Sequence, residues 1–218
     1  MELTRIMQFS TDDVLSLLAA RKGHFLLESG HHGDLWLDLE LLCRYPNRIR
    51  PLCTALIKRL VPFDLNAVCG PLVEGAFIAL LVASEVGLIF SYSERFARAS
   101  QDGLFPAGYR VPHSLRPLLK GMRIAIVNDV INAGSAGRGT FEDLEACGAE
   151  IFAIASLLTL GHSAQRFADS KNVALESLVQ LPNNLWLPGV CPLCATGIPL
   201  EDAGGFRNAF TTHFSAVR

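Results

Sequence analysis

Residues 122–140, MRIAIVNDVINAGSAGRGT, decide how the chain is read. The stretch opens on an apolar, β-branched run, Ile124, Ala125, Ile126 and Val127, which is the composition of a strand buried on both faces. The run meets Asn128 and Asp129, two polar side chains placed at the carboxyl end of the strand. A turn of small residues follows, Asn132, Ala133, Gly134, Ser135, Ala136 and Gly137, and leads into a helix expected to reach Cys147 and stop at Gly148. Ligands of open parallel sheets bind at the carboxyl ends of strands. A Gly-rich turn that opens a helix offers unpaired backbone N–H groups and a positive dipole end to an anion. The stretch therefore predicts a phosphate site next to a carboxylate.

On either side of it, strands and helices alternate. An N-terminal helix is capped by Ser10 or Thr11, carries Asp12 and Asp13 in its first turn, and is expected to stop at Gly23. Short strands at residues 25–27 and 35–38, with a turn at Ser29 and Gly30, read as a small antiparallel cap outside the main sheet. A helix opens at Pro46 and runs to about Leu60, with Pro51 tolerated only in its first turn. Residues 66–69, 76–85 and 88–92 form a strand–helix–strand unit, and residues 151–160 another apolar strand. Residues 93–120, rich in Arg, Pro and Gly, read as a functional lid or a disordered insert, within which Tyr109, Arg110 and Val111 suit a short strand. A short strand or turn is expected near residues 173–179, before a Pro/Gly/Cys-rich tail. The alternation predicts an α/β fold with a mainly parallel sheet flanked by helices. It is read as one domain over residues 1–218: hood and helices to about 60, α/β core at about 61–165, tail from about 166.

The bulk numbers exclude several classes. The chain of 218 residues is half apolar, yet its longest apolar run is broken by Ser84, Glu85 and Gly87 and falls short of a membrane span. No basic-then-apolar leader is visible, and a net charge of −2 gives no reason to expect nucleic acid or a membrane as partner. Cys43, Cys53, Cys69 and Cys147 sit in apolar settings that suit reduced core thiols, so the expected location is the cytoplasm.

No Walker A sequence is present, and the glycines of GSAGRG are out of order for a dinucleotide fingerprint. An acid at a strand end followed by a phosphate-cradling turn instead holds one sugar twice, by its hydroxyls and by its 5′-phosphate. The run from Val127 to Ala136 resembles the phosphoribosyl pyrophosphate (PRPP) motif of the type I phosphoribosyltransferases, and the orotate enzymes in particular. Gly23, Phe25, Leu27, Ser29 and Gly30 resemble their N-terminal signature. Val68, Cys69, Gly70, Pro71 and Gly75 resemble their pyrophosphate turn, and Tyr92, Ser93, Glu94 and Arg95 the approach to their mobile catalytic loop. The four motifs cover roughly residues 20–160 in order, and the resemblance implies the type I phosphoribosyltransferase fold.

The resemblance further implies Mg²⁺-dependent transfer of ribose 5-phosphate from PRPP to a nucleobase, orotate, in a homodimer. It places ribose and phosphate at Asn128, Asp129, Ile131, Asn132, Ala133, Gly134, Ser135, Ala136 and Gly137, and the base at Ser29 and Gly30. Pyrophosphate falls at Gly70, Pro71, Leu72, Val73, Glu74 and Gly75, with Asp129, Arg95 and Arg98 as the catalytic groups and Asp129 an indirect Mg²⁺ ligand. The chain departs from the pattern: Asn128 replaces the first of two acids, Glu74 stands where Gly is common, and the loop carries arginines and no lysine before Lys120. These changes keep a second reading open, a non-catalytic relative that binds PRPP or a nucleotide as a regulator. Cys191 and Cys194 form half a zinc knuckle, with further ligands to come from His113, His162, His213 or a partner subunit; the pair equally suits a redox couple or a packed thiol turn. His31, His32 and Asp34 fit a metal poorly, because adjacent residues of an extended chain point to opposite sides.

Overall fold

A computed structural model of the protein describes residues 9–27, 30–97, 107–132 and 134–204. The chain begins with helix α1 (Thr11–Leu17), held at its start by a reciprocal cap. The Asp13 N–H donates to Ser10 Oγ at 3.1 Å, and the Ser10 N–H donates to the Asp13 carboxylate at 2.9 Å. The helix ends before Gly23, which lies inside strand β1 (Arg21–Leu26), where a Cβ would come within 2.9 Å of the Phe25 ring. β1 pairs antiparallel with β2 (His32–Trp36), and the two-residue strand β9 (Leu185–Trp186) adds to the far edge of β2. The cap expected from the sequence is thus a three-stranded hood, with its third strand supplied by the tail.

Helix α2 (Pro46–Leu60) runs straight through Pro51, which falls in its second turn and not its first. Pro51 has no N–H to donate to the Asn47 carbonyl, and both residues are exposed, so that carbonyl faces solvent. The core elements follow: β3 (Ala67–Pro71), α3 (Glu74–Val86), β4 (Ile89–Ala97), β5 (Ala107–Arg110), β6 (Arg123–Ile131), α4 (Ser135–Ala146), β7 (Glu150–Leu160), α5 (Ser163–Lys171) and β8 (Ala174–Leu181). They form a six-stranded sheet in the order β5-β4-β3-β6-β7-β8, parallel except for the β4–β5 pair. A last short helix, α6 (Pro192–Ala195), lies in the tail.

Both faces of the sheet are covered, as the apolar run of β6 requires. Ala125 and Val127 face one cluster with Leu52, Leu56, Ile78 and Val82 of α2 and α3. Ile124 and Ile126 face the other with Phe141 and Leu144 of α4 and Ala164 and Ala168 of α5. Helix α4 stops where the sequence placed its end, with Cys147 as cap and Gly148 at φ 77°.

Three expectations need correction. Strand β6 does not end at Asn128 and Asp129 but carries both and continues to Ile131. Within the expected lid, β4 extends to Ala97 and pairs with β5, and residues 116–119 form a 3-10 turn; only residues 98–106 lie outside the described part. The turn is fastened by Arg116, whose guanidinium donates to Asp143 on α4 at 2.5 Å while the Val111 N–H donates to the same oxygen at 2.8 Å. Helix α5 was not anticipated at all. No helix among the described residues is long and apolar enough to cross a membrane.

Candidate active site

The site grows out of the end of β6. Gly134 caps α4 at φ 81°, a left-handed conformation that side chains resist. The first backbone bond of the helix runs from the Arg138 N–H to the Gly134 carbonyl at 2.9 Å. The N–H groups of Ser135, Ala136 and Gly137 precede it and have no partner within the helix. They open on a cavity of about 450 Å³, a size that suits a small metabolite.

The cavity lies at the carboxyl ends of β6, β7 and β8, where parallel sheets hold their ligands. One wall is Asn128, Ile131, Asn132 and residues 134–137. The opposite wall is the hood, with Leu27, Gly33, Asp34, Leu35, Trp36 and Leu37. Leu160 and residues 182–185 close the side. Two amide contacts tie these walls together. Asn183 donates to Asn132 Oδ1, and Asn184 donates to Asp34 Oδ2 at 2.8 Å. The sequence placed His31, His32 and Asp34 in the substrate-facing cap or at the surface, and Asp34 does line the cavity; the Asn183–Asn184 pair was missed, although a Pro-Asn-Asn run directly after a parallel strand was the available signal.

Asn128 and Asp129 have different surroundings. Asn128 lines the cavity, is buried, and donates to the Val130 carbonyl at 3.0 Å. Its Oδ1 rests on Gly75, where an added Cβ would overlap it. Gly70 is needed for the same junction, since a Cβ there would come within 2.5 Å of the Gly75 carbonyl oxygen. The expected pyrophosphate turn is therefore pressed against Asn128 but does not itself line the cavity. In that turn the Leu72–Val73 peptide is cis, and the Leu72 N–H donates to the Ser93 carbonyl at 2.9 Å.

Asp129 is not among the lining residues and is 5 % exposed. Burial pushes its pKa up from 3.8 to about 6, the Glu74 carboxylate adds to the rise, and the backbone N–H groups of Val130 and Asp129 oppose it. The same buried negative charge helps to hold the Cys43 thiol up at about 11, again with burial as the main cause. Gly30, at φ 76°, is not among the lining residues, and Ser29, Arg98 and Ala133 lie outside the described residues. Arg95 is exposed on β4 and does not line the cavity. Arg110 stacks on the Phe96 ring at 4.6 Å. Cys191 and Cys194 lie against the hood, away from the cavity lining.

The comparisons agree with this geometry. No protein-family model matches the chain. It is 28 % identical over 185 residues to the orotate phosphoribosyltransferase of Caldanaerobacter subterraneus subsp. tengcongensis, covering 84 % of this chain and 89 % of that protein. It is 28 % identical over 188 residues to the orotate phosphoribosyltransferase of Thermotoga maritima, covering 85 % and 92 %. The crystal structure of orotate phosphoribosyltransferase from Aeropyrum pernix superposes with a TM-score of 0.63 at 21 % identity, over 78 % of this chain and 93 % of that one. Adenine phosphoribosyltransferase from Trypanosoma brucei, solved with AMP, pyrophosphate and ribose-5-phosphate, gives 0.61 at 16 % identity, over 78 % and 81 %. The fold is that of the type I phosphoribosyltransferases. In sequence the chain is a relative of the orotate phosphoribosyltransferases.

The raised pKa of Asp129 makes a prediction about the free protein. Its folded-state value lies above the unfolded one, so the stability it contributes is present below pH 4 and lost as pH rises through about 6. At 1.36 kcal/mol per pH unit the ionised form costs up to about 3 kcal/mol. Asp129→Asn should therefore be more stable than the natural protein by up to about 3 kcal/mol at pH 8 and nearly equal to it at pH 4, in urea unfolding at both pH values. A variant less stable than the natural protein at pH 8 would contradict an uncompensated carboxylate at this position.

Proposed function

We propose that this chain transfers ribose 5-phosphate from PRPP to orotate and releases pyrophosphate. The observation that carries the reading is the cavity itself, with three helix N–H groups that lack an intrahelical partner and Asn128 on one wall and the largely apolar hood on the other. The 5′-phosphate takes the N–H groups of Ser135, Ala136 and Gly137, where the helix dipole favours its charge. Asn128 offers a carbonyl oxygen and an amide to the ribose hydroxyls, and the base lies between the hood and Leu160. The resemblance adds Ser29 and Gly30 as base contacts.

The bond from the base nitrogen to ribose C1 forms as the C1–oxygen bond to pyrophosphate breaks, so positive charge grows on the sugar and negative charge on the leaving group. Asp129, next to Asn128 on β6, stabilises the first charge when ionised. Arg95, and Arg98 just beyond the described part of β4, are the cations assigned to the second. The residues present fit a divalent cation: Asp129 is buried and repelled by Glu74, and a positive ion relieves both penalties. In this reading Asp129 would hold Mg²⁺ indirectly, as the resemblance implies. Mg²⁺ supplies charge to pyrophosphate when bound. The hood walls the cavity on one side and limits the access of water to PRPP.

Asn128 also favours the second reading, a regulatory binder, because the acid of the pair that reaches the cavity has become neutral. Orotate consumption with PRPP and Mg²⁺ separates the two. The proposal expects orotidine 5′-monophosphate and pyrophosphate in equal amounts, and turnover lost in Asp129→Ala. Binding of PRPP without turnover of orotate or any other base would replace the transferase with the regulator.

We also infer a homodimer. Phe77 and Leu80 on α3, with Val73 just before its first residue, form an exposed apolar stripe at helical spacing, and Leu41 and Tyr45 are exposed on the segment packed beside it. That face is more apolar than free solvent exposure favours, and a second copy would cover it. Sedimentation should give a dimer that Phe77→Glu converts to monomer; a natural protein that is monomeric at all concentrations would end this inference. The six cysteines are all thiols, which suits a reducing compartment such as the cytoplasm.

A further inference from the structure

Four metal-binding side chains from both ends of the described chain meet at the hood. His24 on β1, His32 on β2, and Cys191 and Cys194 at the start of α6 bring one ligand atom each to within 4.8 Å of all the others. None of the four takes part in the chemistry proposed above, and three of them are buried. His24 Nε2 lies 3.1 Å from His32 Nδ1, 3.4 Å from Cys191 Sγ and 3.8 Å from Cys194 Sγ. Cys194 Sγ lies 3.3 Å from His32 Nδ1.

Those spacings are the edges of a metal tetrahedron. A tetrahedral centre with bonds of about 2.05 Å to nitrogen and about 2.3 Å to sulfur separates nitrogen from nitrogen by about 3.4 Å and nitrogen from sulfur by about 3.6 Å. A set of hydrogen bonds accounts for the cluster less well. His24 Nδ1 faces the Ile198 carbonyl at 2.8 Å, so it carries the proton and donates it there. Neutral His24 then has a single lone pair on Nε2, and three groups crowd it. One central cation satisfies all four atoms at once. The His24–Ile198 bond is also the outer contact that orients a histidine ligand and fixes its tautomer.

We propose that this cluster is a structural zinc site, with His24 Nε2, His32 Nδ1, Cys191 Sγ and Cys194 Sγ as its four ligands. Two nitrogens and two thiolates in a tetrahedron select zinc among the common divalent ions. Four protein ligands leave no open position, so the site holds structure and does no chemistry. Binding takes up one Zn²⁺ and releases the two thiol protons to solvent, and the resulting centre has no net charge, which suits its burial. Of the ligands the sequence suggested, His113 and His162 are not in the cluster and His213 lies outside the described residues. His31 does not join, while its neighbour His32 does.

The position of the site gives it a task. The segment after α6 runs beside β1, where the Glu201 N–H donates to the His24 carbonyl at 2.8 Å and the Leu26 N–H donates to the Glu201 carbonyl at 2.9 Å. His32 is followed directly by Gly33 and Asp34, which line the cavity. Zinc therefore locks the tail onto the hood and fixes the strand that forms one wall of the cavity. This proposal does not depend on which reaction the cavity performs.

Elemental analysis of the full chain, purified without added zinc, should find about one zinc per chain. Replacement by cobalt should give the intense visible bands of a tetrahedral centre together with thiolate-to-cobalt charge transfer. Zinc content should fall at least about tenfold in Cys191→Ser and in Cys194→Ser, and stay unchanged in Cys147→Ser, a thiol outside the cluster. The cobalt spectrum of the natural chain needs no variant and so stands even if a serine variant fails to fold. A metal-free natural protein, a cobalt spectrum without thiolate charge transfer, or a Cys191–Cys194 disulfide mapped in protein kept in reductant would each overturn the assignment.

Discussion

The turn between β6 and α4 is the constraint around which the molecule is arranged. A strand buried on both faces has to leave the sheet, reverse at Gly134 and begin a helix without a side-chain cap. The cost is a set of N–H groups with no partner within the helix, at the mouth of the sheet. Such groups need water or a ligand. The other elements of the site cover the turn without satisfying it: the hood faces it, the loop after β8 is hydrogen-bonded to Asn132, and the α3 turn is pressed against Asn128 through Gly75. In the proposed function an anion fills this roofed space.

Charge is distributed in keeping with that. The negative side chains near the turn are either held, as Asp34 is by Asn184, or buried at a price in stability, as Asp129 is beside Glu74. Positive charge is scarce at the cavity. Arg116 is committed to Asp143 and Arg110 to the Phe96 ring, so neither is a free cation for a phosphate. In the proposed function, backbone amides and a bound divalent ion would supply the positive potential that the side chains lack. The substitution of Asn128 for an acid has a structural counterpart too: the side chain that would otherwise add charge to this crowded junction is packed on Gly75 and bonded to its own strand.

The sequence was legible where a signal was local. Runs such as Ile124 to Val127, buried on both faces, betrayed the parallel sheet, and Gly134 and Gly148 marked the ends of α4. It was illegible where the signal lay in pairing over distance. β9 is two residues long and exists only because β2 is beside it. Strands were read at residues 88–92 and 109–111, but Ser93, Glu94 and Arg95 carry no apolar rhythm to announce that β4 runs on to Ala97 and pairs with β5. α5 is polar, anchored by Ala164 and Ala168 alone among fully buried residues, so its periodicity was too thin to see. The four residues of the proposed zinc site show the same division. Cys191 and Cys194 stood out by spacing, whereas His24 and His32 come together only through the antiparallel register that pairs Leu26 with His32.

The central claim, that the first turn of α4 holds a phosphate, is tested most directly at Gly137. That residue is buried, lines the cavity, and would carry a Cβ into open space, with nothing within 4 Å. Alanine also favours a helix over glycine by about 1 kcal/mol. Ribose 5-phosphate binding to Gly137→Ala, measured by calorimetry beside thermal unfolding, should weaken by at least about tenfold while the melting temperature holds or rises, because the added methyl takes the phosphate's place and nothing else. Undiminished binding in a stable Gly137→Ala protein would show that the phosphate lies elsewhere and that the turn after β6 is only a turn.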